Sequence, residues 1–113
     1  MFEKIKKRDG RIVEFDSSKI TSAVAKAGKA TGEFDEREAK KLTLKILTLA
    51  HELHLDPLPD VESIQDIVER VLLDSPFYKS AKAYIIYREQ HAQIRAISTK
   101  AKIDLVEHYI QKL

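Results

Sequence analysis

Few side chains in this 113-residue chain combine a reactive type with a useful spacing. His51 and His54 lie three apart, so on a helix both would reach one face and offer two imidazoles to a metal ion. A metal site wants a third ligand and supporting hydrogen bonds, and none is spaced to join them, so they read as surface histidines of an amphipathic helix. His91 and His108 stand alone. Glu52 beside His51 and Glu107 beside His108 do not form acid/base pairs, because adjacent residues on a helix point about 100° apart. Ser17 and Ser18 sit where helix caps belong, and no serine is framed by the glycines of a nucleophile elbow. The absence of Cys removes disulfides, zinc ribbons, iron–sulfur ligation and thiol catalysis together. What remains is a run of cations, Lys6, Lys7 and Arg8, directly ahead of Asp9-Gly10. Such a run repels itself unless an anion is near, yet the chain has no glycine-rich phosphate loop.

On an extended strand neighbouring side chains alternate, which puts Lys6 and Arg8 on one side and Lys7 on the other. Lys19, one turn into the segment after Asp16, adds a further cation near the strand end. Paired cations are worth several kcal/mol to a triphosphate in a partly buried site, from about 4 kcal/mol per charge pair at ~4 Å and intermediate dielectric. The plain alternative is a solubilising edge, where lysines discourage sheet-to-sheet aggregation and bind nothing. On charge alone that alternative ranks first.

The elements that must carry these residues follow from patterning. The chain has the length of one domain, and 43% hydrophobic and 34% charged residues with three Gly and three Pro describe an ordered, helix-rich protein. A net charge of +2 gives local clusters and no global field, which weighs against a general nucleic-acid binder. No apolar run is long enough to span a membrane and the N-terminus lacks a signal-peptide core, so a cytoplasmic location is expected. Residues 2–5 and 11–15 flank the Asp-Gly turn as two short strands of a hairpin. Asp16 is placed to cap a helix with Ile20, Ala23, Val24 and Ala27 on its apolar face, Phe15 and Ile20 at the staple positions, and Gly28 or Gly32 at its end. Asp35 and Glu38 form a capping box ahead of Ala39, Leu42, Ile46, Leu49, Ala50 and Leu53. The two prolines of LDPLPD allow a loop or a very short edge strand. A third helix starts near Asp60 and buries Ile64, Ile67, Val68, Val71 and Leu72. Ser75 with Pro76 predicts the start of a fourth, carrying Phe77, Ala81, Tyr84, Ile85 and Arg88. Beyond residue 97 a further helix is predicted, with Ile103, Val106 and Ile110 on one side. Its pattern runs to the last residue without a stop signal, so the chain is expected to be part of a longer protein. The expected fold is α+β: a small N-terminal hairpin, extensible to three strands, on four to five helices.

The string KIKKRDGRIVEFDSSKITSAVAKA resembles the opening of the ATP-cone, a regulatory nucleotide-binding domain of ribonucleotide reductases and of the bacterial repressor of their genes. VESIQDIVERVLL and AKAYIIYREQHAQIR resemble its closing helices in the right order, so the likeness covers about residues 3 to 92. The repressor's zinc ribbon is absent. The tail, YREQHAQIR and KIDLVEHYI, looks most like the anaerobic, glycyl-radical ribonucleoside-triphosphate reductase.

The resemblance implies an ATP-cone over residues 1–95 and, over 96–113, a helix leading to a catalytic part. It implies ATP or dATP as allosteric effector, with Mg2+ as its companion, and a domain that does no chemistry itself. Lys7 and Arg8, with Lys6 beside them, would reach the phosphates. Ile5 and Ile20 would wall the purine, and Asp16 would accept a hydrogen bond from the adenine amino group, which guanine cannot give from its carbonyl. Lys19 matches a lysine on the sugar and phosphate side. Gln65 falls where some relatives carry a histidine, His91 near a position where some carry a lysine, and Val61 replaces a threonine. The implied partners are the nucleotide, the catalytic domain of the same chain and further copies of the parent protein. Two rival classes are a helical nucleic-acid-binding or transcription-regulator module, which would turn the same cations on a phosphate backbone, and an interaction domain without a ligand.

Overall fold

The computed structural model describes residues 2–53 and 58–112, of which 101–112 are described by backbone alone. Strands β1 (Lys4–Lys6) and β2 (Ile12–Glu14) pair antiparallel, with Lys4 opposite Glu14, Ile5 opposite Val13 and Lys6 opposite Ile12. The loop between them closes by two backbone bonds: the Gly10 amide donates to the Lys7 carbonyl at 3.0 Å, and the Lys7 amide to the Arg11 carbonyl at 2.8 Å. Gly10 takes φ 89°, a left-handed conformation that glycine adopts without steric cost. Asp9 accepts from the Arg11 amide at 3.0 Å and from its Nε at 2.7 Å, and these bonds hold its carboxyl below the usual range. The segment after the two prolines supplies one more rung: the Lys6 amide donates to the Pro59 carbonyl at 2.9 Å, a single parallel bridge between Lys6 and Asp60. The predicted edge strand is thus one bridge long.

Four helices follow: α1 (Ser17–Thr31), α2 (Glu36–Glu52), α3 (Val61–Asp74) and α4 (Tyr78–Lys112). The first three start on aspartates whose carboxylates accept early backbone amides: Asp16 from Ser18, Asp35 from Arg37 and Glu38, Asp60 from Ser63. α1 stops at Gly32, φ 74°, whose amide turns back onto the helix end. Gly28, the other expected stop, is buried inside α1 beneath the Phe34 ring, and a Cβ there would lie 2.3 Å from Phe34 Cδ1. α1 packs against α2 and α4, and α3 against the same two, so the four helices close around one core. Val24, Ala39, Leu42, Ile46, Ala50, Leu72 and Ala81 are almost wholly buried there. Polar ties cross the same seams: Thr21 to Thr43 and Thr31 to Ser80, each at 2.8 Å between hydroxyls.

Two expectations need correction. Ser75 is not the residue that flanks α4, which begins at Tyr78 with Pro76 outside it: its amide and Oγ both donate to the Leu72 carbonyl, closing α3, while Oγ accepts from the Phe77 amide at 3.2 Å. The cap of α4 comes from elsewhere in the chain, because Glu33 Oε1 accepts from the Ser80 amide at 2.6 Å and from Ser80 Oγ at 2.8 Å. Burial pushes the Glu33 carboxyl up, but the bonds from Ser80 outweigh it and leave it below its ordinary value. The predicted fifth helix is a continuation of α4, which has no Gly or Pro along its 35 residues and satisfies Thr99 Oγ1 on the Arg95 carbonyl at 2.9 Å. From Gln93 to Lys100 this helix is exposed, having left the bundle. His54 lies outside the described residues, so the His51/His54 pairing is not described. Among the described residues no helix is long and apolar enough to cross a membrane.

Candidate ligand-binding site

Beneath the hairpin, between it, α1, α3 and α4, lies a cavity of about 260 Å³. Its walls are mostly apolar: Ile5 and Val13 from the two strands, Phe15 between β2 and α1, Ile20 and Ala23 from α1, Val61, Ile64 and Val68 from α3, and Tyr84 from α4. Polar groups enter only at the rim, through Lys7, Glu14, Asp16, Lys19 and Gln65. A pocket of this composition takes a flat apolar ring with a few polar edge groups. Ile5 of β1 and Lys7, one residue past its end, line it together, as alternate residues of an extended chain share a side.

Asp16 performs two tasks here. Its Oδ1 accepts from Ser18 Oγ at 2.6 Å and the Ser18 amide at 3.0 Å, capping α1. Its Oδ2 makes no hydrogen bond among the described residues. The Ser18 hydroxyl first, then the Ser18 amide and the charge of Lys19, hold the carboxyl below its usual value, so it remains an acceptor at neutral pH.

A second cavity of about 220 Å³ adjoins the first and shares Ala23, Gln65 and Tyr84 with it. Its other lining residues are Arg8, Tyr87, Arg88, His91 and Arg95. Three guanidinium groups and an imidazole surround one small volume, a donor set of the kind that suits an anion. His91 stacks on Tyr87 with ring centroids 4.1 Å apart. Tyr84 is the buried wall between the two cavities, and burial pushes its hydroxyl up to about 12, so it stays protonated.

The arginines are not idle in the absence of an anion. Arg8 donates from Nε to Glu62 Oε1 at 2.5 Å and from Nη2 to Gln65 Oε1 at 2.8 Å. Arg88 donates from Nη2 to Glu62 Oε2 at 2.7 Å and from Nη1 to Asp66 and Glu69, each at 2.9 Å. Burial opposes the Arg88 charge, but these three carboxylates overcome it and hold the guanidinium protonated. Glu62 in turn lies below its ordinary value, chiefly through its bond from Arg88 and then that from Arg8.

Of the residues singled out in the sequence, Ile5, Lys7, Asp16, Lys19, Ile20 and Gln65 line the apolar cavity, while Arg8 and His91, with Gln65 again, line the cationic one. Lys6 lines neither. Strand alternation misplaces Arg8: it lies in the turn, beyond the last ladder pair, and swings to the same side as Lys7. Sequence reasoning missed Arg95 and Glu62, and read Arg88 only as a helix residue. The signal for Arg88 and Arg95 is their spacing of seven on one helix face, with His91 between them.

The ATP cone domain model matches residues 3–93, a span that holds every lining residue of the apolar cavity and all of those of the cationic one except Arg95. The chain belongs to the ATP-cone family. It is 38% identical over 100 residues to the vitamin B12-dependent ribonucleoside-diphosphate reductase of Thermoplasma acidophilum, covering 84% of this chain and 13% of that one. It is also 38% identical over 97 residues to the ribonucleoside-diphosphate reductase subunit alpha of Chlamydia pneumoniae, covering 80% and 9%. With the anaerobic ribonucleoside-triphosphate reductase of Salmonella typhimurium it shares 33% over 84 residues, covering 74% and 11%. The chain therefore spans about a tenth of the length of the curated relatives it matches.

Proposed function

We propose that this ATP-cone binds ATP and dATP as effectors of a ribonucleotide reductase, with the purine in the apolar cavity and the phosphates in the cationic one. The observation that carries the reading is the pairing of the two cavities: an apolar slot lies beside an arginine-rich pocket, with Ala23, Gln65 and Tyr84 lining both. A nucleoside triphosphate has that division of character along its length.

In this reading Ile5 and Ile20 flank the ring and Asp16 Oδ2 accepts from the adenine amino group. Lys7 and Lys19 stand at the rim for the sugar and first phosphate, and Arg8, His91 and Arg95 take the remainder of the chain. Gln65 has its carbonyl oxygen engaged by Arg8, so its amide nitrogen is the donor left for the ribose. ATP and dATP differ only at the 2′ hydroxyl, which makes Gln65 and Lys19 the candidates for telling them apart. Differential affinity of this kind is what a switch requires, since a ligand that binds both states equally shifts neither. Mg2+ would arrive on the phosphate oxygens, because no three His, Asp or Glu side chains among the described residues gather to hold a metal.

Residues 1–95 form the sensing module in this proposal, and 96–113 lead to a catalytic part of the same chain. The parent is a reductase that assembles into oligomers; the anaerobic triphosphate enzyme is one of three kinds in which relatives of this cone occur. A nucleic-acid interface is disfavoured because the net charge of +2 gives no broad basic field and Arg11 is paired to Asp9.

Calorimetric titration tests the proposal. ATP and dATP should bind with micromolar or better affinity, roughly −8 kcal/mol, and GTP at least about tenfold more weakly. A folded protein that gives no heat with either adenine nucleotide overturns it.

A further inference from the structure

Among the described residues, Glu62 is the one carboxylate bonded both to the turn of the hairpin and to α4. Each of its oxygens serves a different arginine: Oε1 accepts from Arg8 Nε and Oε2 from Arg88 Nη2. Arg8 is the residue that reaches from the turn into the cationic cavity, and Glu62 together with Gln65 fills the Nε–Nη2 edge of its guanidinium. That edge is one of the two through which a guanidinium can engage a phosphate in bidentate fashion, the other being Nη1–Nη2. A carboxylate so placed presents an anion's geometry to the arginine before any nucleotide arrives, and its negative charge opposes an incoming triphosphate.

We propose that Glu62 is a latch: it holds Arg8 in the unliganded domain, is displaced from it by the phosphates of the ligand, and passes that change to α4 through Arg88. The inference rests on the nucleotide reading above and adds a residue which that reading does not use. Two consequences follow from linkage. Any contact that occupies Arg8 in the free state lowers apparent affinity by the fraction of molecules it holds closed. Once Arg8 leaves, Glu62 bonds Arg88 alone, so the tie between α3 and the helix that runs out of the domain differs between the free and bound states. By reciprocity, whatever fixes α4 in one of those arrangements changes nucleotide affinity by the same factor. Arg88 keeps Asp66 and Glu69 throughout, so the helix stays anchored while one of its three carboxylate partners is re-oriented.

The experiment compares the full chain with Glu62→Gln, which keeps the volume and removes the charge, and with Glu69→Gln, which removes another Arg88 partner that makes no bond to Arg8. Glu62→Ala serves as a second latch variant. ATP and inorganic tripolyphosphate, which has the charged tail and no base, are titrated by calorimetry while the arginine Nε–H resonances of Arg8 and Arg88 are followed. Both ligands should bind about three- to tenfold tighter to the Glu62 variants and within about twofold of wild type to Glu69→Gln. In the wild type both arginine resonances should move on binding; in Glu62→Gln the Arg88 shift should shrink to the part that comes from its place on the cavity wall. Equal or weaker binding by the Glu62 variants, or a stationary Arg88 resonance in the wild type, overturns the latch. If tripolyphosphate moves Arg8 while ATP binds no better than tripolyphosphate, the latch stands and the adenine reading falls.

Discussion

At the scale of single residues, the site depends on side chains that hold two obligations at once. Asp16 starts α1 with one oxygen and leaves the other at the cavity rim, so capping and recognition are separable by substitution. Asp16→Asn keeps a good cap, and the melting temperature should stay close to wild type. Its amide can donate to a guanine carbonyl as readily as its oxygen accepts from adenine. The preference for ATP over GTP, measured by competition binding, should therefore fall several-fold; an unchanged preference would remove Asp16 from base recognition. The cations show what could be read ahead of the structure. Ile5 and Lys7 come from the family resemblance, since strand alternation separates Lys7 from Lys6 and Arg8 without saying which side meets a ligand; the aspartate caps are legible because they act within three residues of themselves. Glu62 was not legible, since its meaning depends on arginines at sequence separations of 54 and 26.

At the scale of elements, the same division holds. The hairpin, α2 and α3 follow from turn chemistry and apolar spacing, and the core residues named from periodicity in α3 are the ones buried. The start of α4 escaped because Ser75 bonds backward to α3, while the cap that serves α4, Glu33, belongs to the loop after α1. The continuity of α4 past residue 97 escaped because Ser98 and Thr99 suggest a boundary, and only the i−4 bond of Thr99 shows the helix running through. Gly28 is the element-scale test. Its missing Cβ lets the Phe34 ring lie on α1, and Phe34 in turn packs on Phe77 at 4.8 Å between centroids, joining α1 to the entry of α4. Alanine favours a helix by propensity, yet here it must displace that ring. Gly28→Ala should destabilise the domain by about 1–3 kcal/mol in chemical denaturation, the usual effect of overpacking. A stabilised variant would mean that Phe34 has room to move aside.

At the scale of the molecule, the carboxylates set the response to acid. Asp9, Asp16, Glu33, Asp60 and Glu62 all sit below their ordinary values of 3.8 for Asp and 4.5 for Glu in the folded chain. A carboxyl depressed by folding contributes stability that is present above its unfolded value and lost as pH falls through its folded one. Thermal melts should therefore be flat from about pH 7 to pH 5 and drop progressively below about pH 4.5. Because three of these groups cap or tie α1, α3 and α4, the loss should be cooperative. A melting temperature that rises on acidification would contradict the network. The molecule as a whole is a hairpin laid across a closed four-helix bundle, with one helix extending out of it. That arrangement places the proposed ligand between the mobile-sized element and the element that leaves, where a change at Arg8 has a short physical route to Arg88.

The most direct measurement of the central claim is an amide and side-chain NMR titration of the whole chain with dATP. The account predicts saturable shifts at Ile5, Lys7, Asp16, Lys19 and Gln65 around the apolar cavity, and at Arg8, His91 and Arg95 around the cationic one, with one common dissociation constant. Resonances of both cavities that stay in place at millimolar nucleotide, while the chain remains folded, would contradict it.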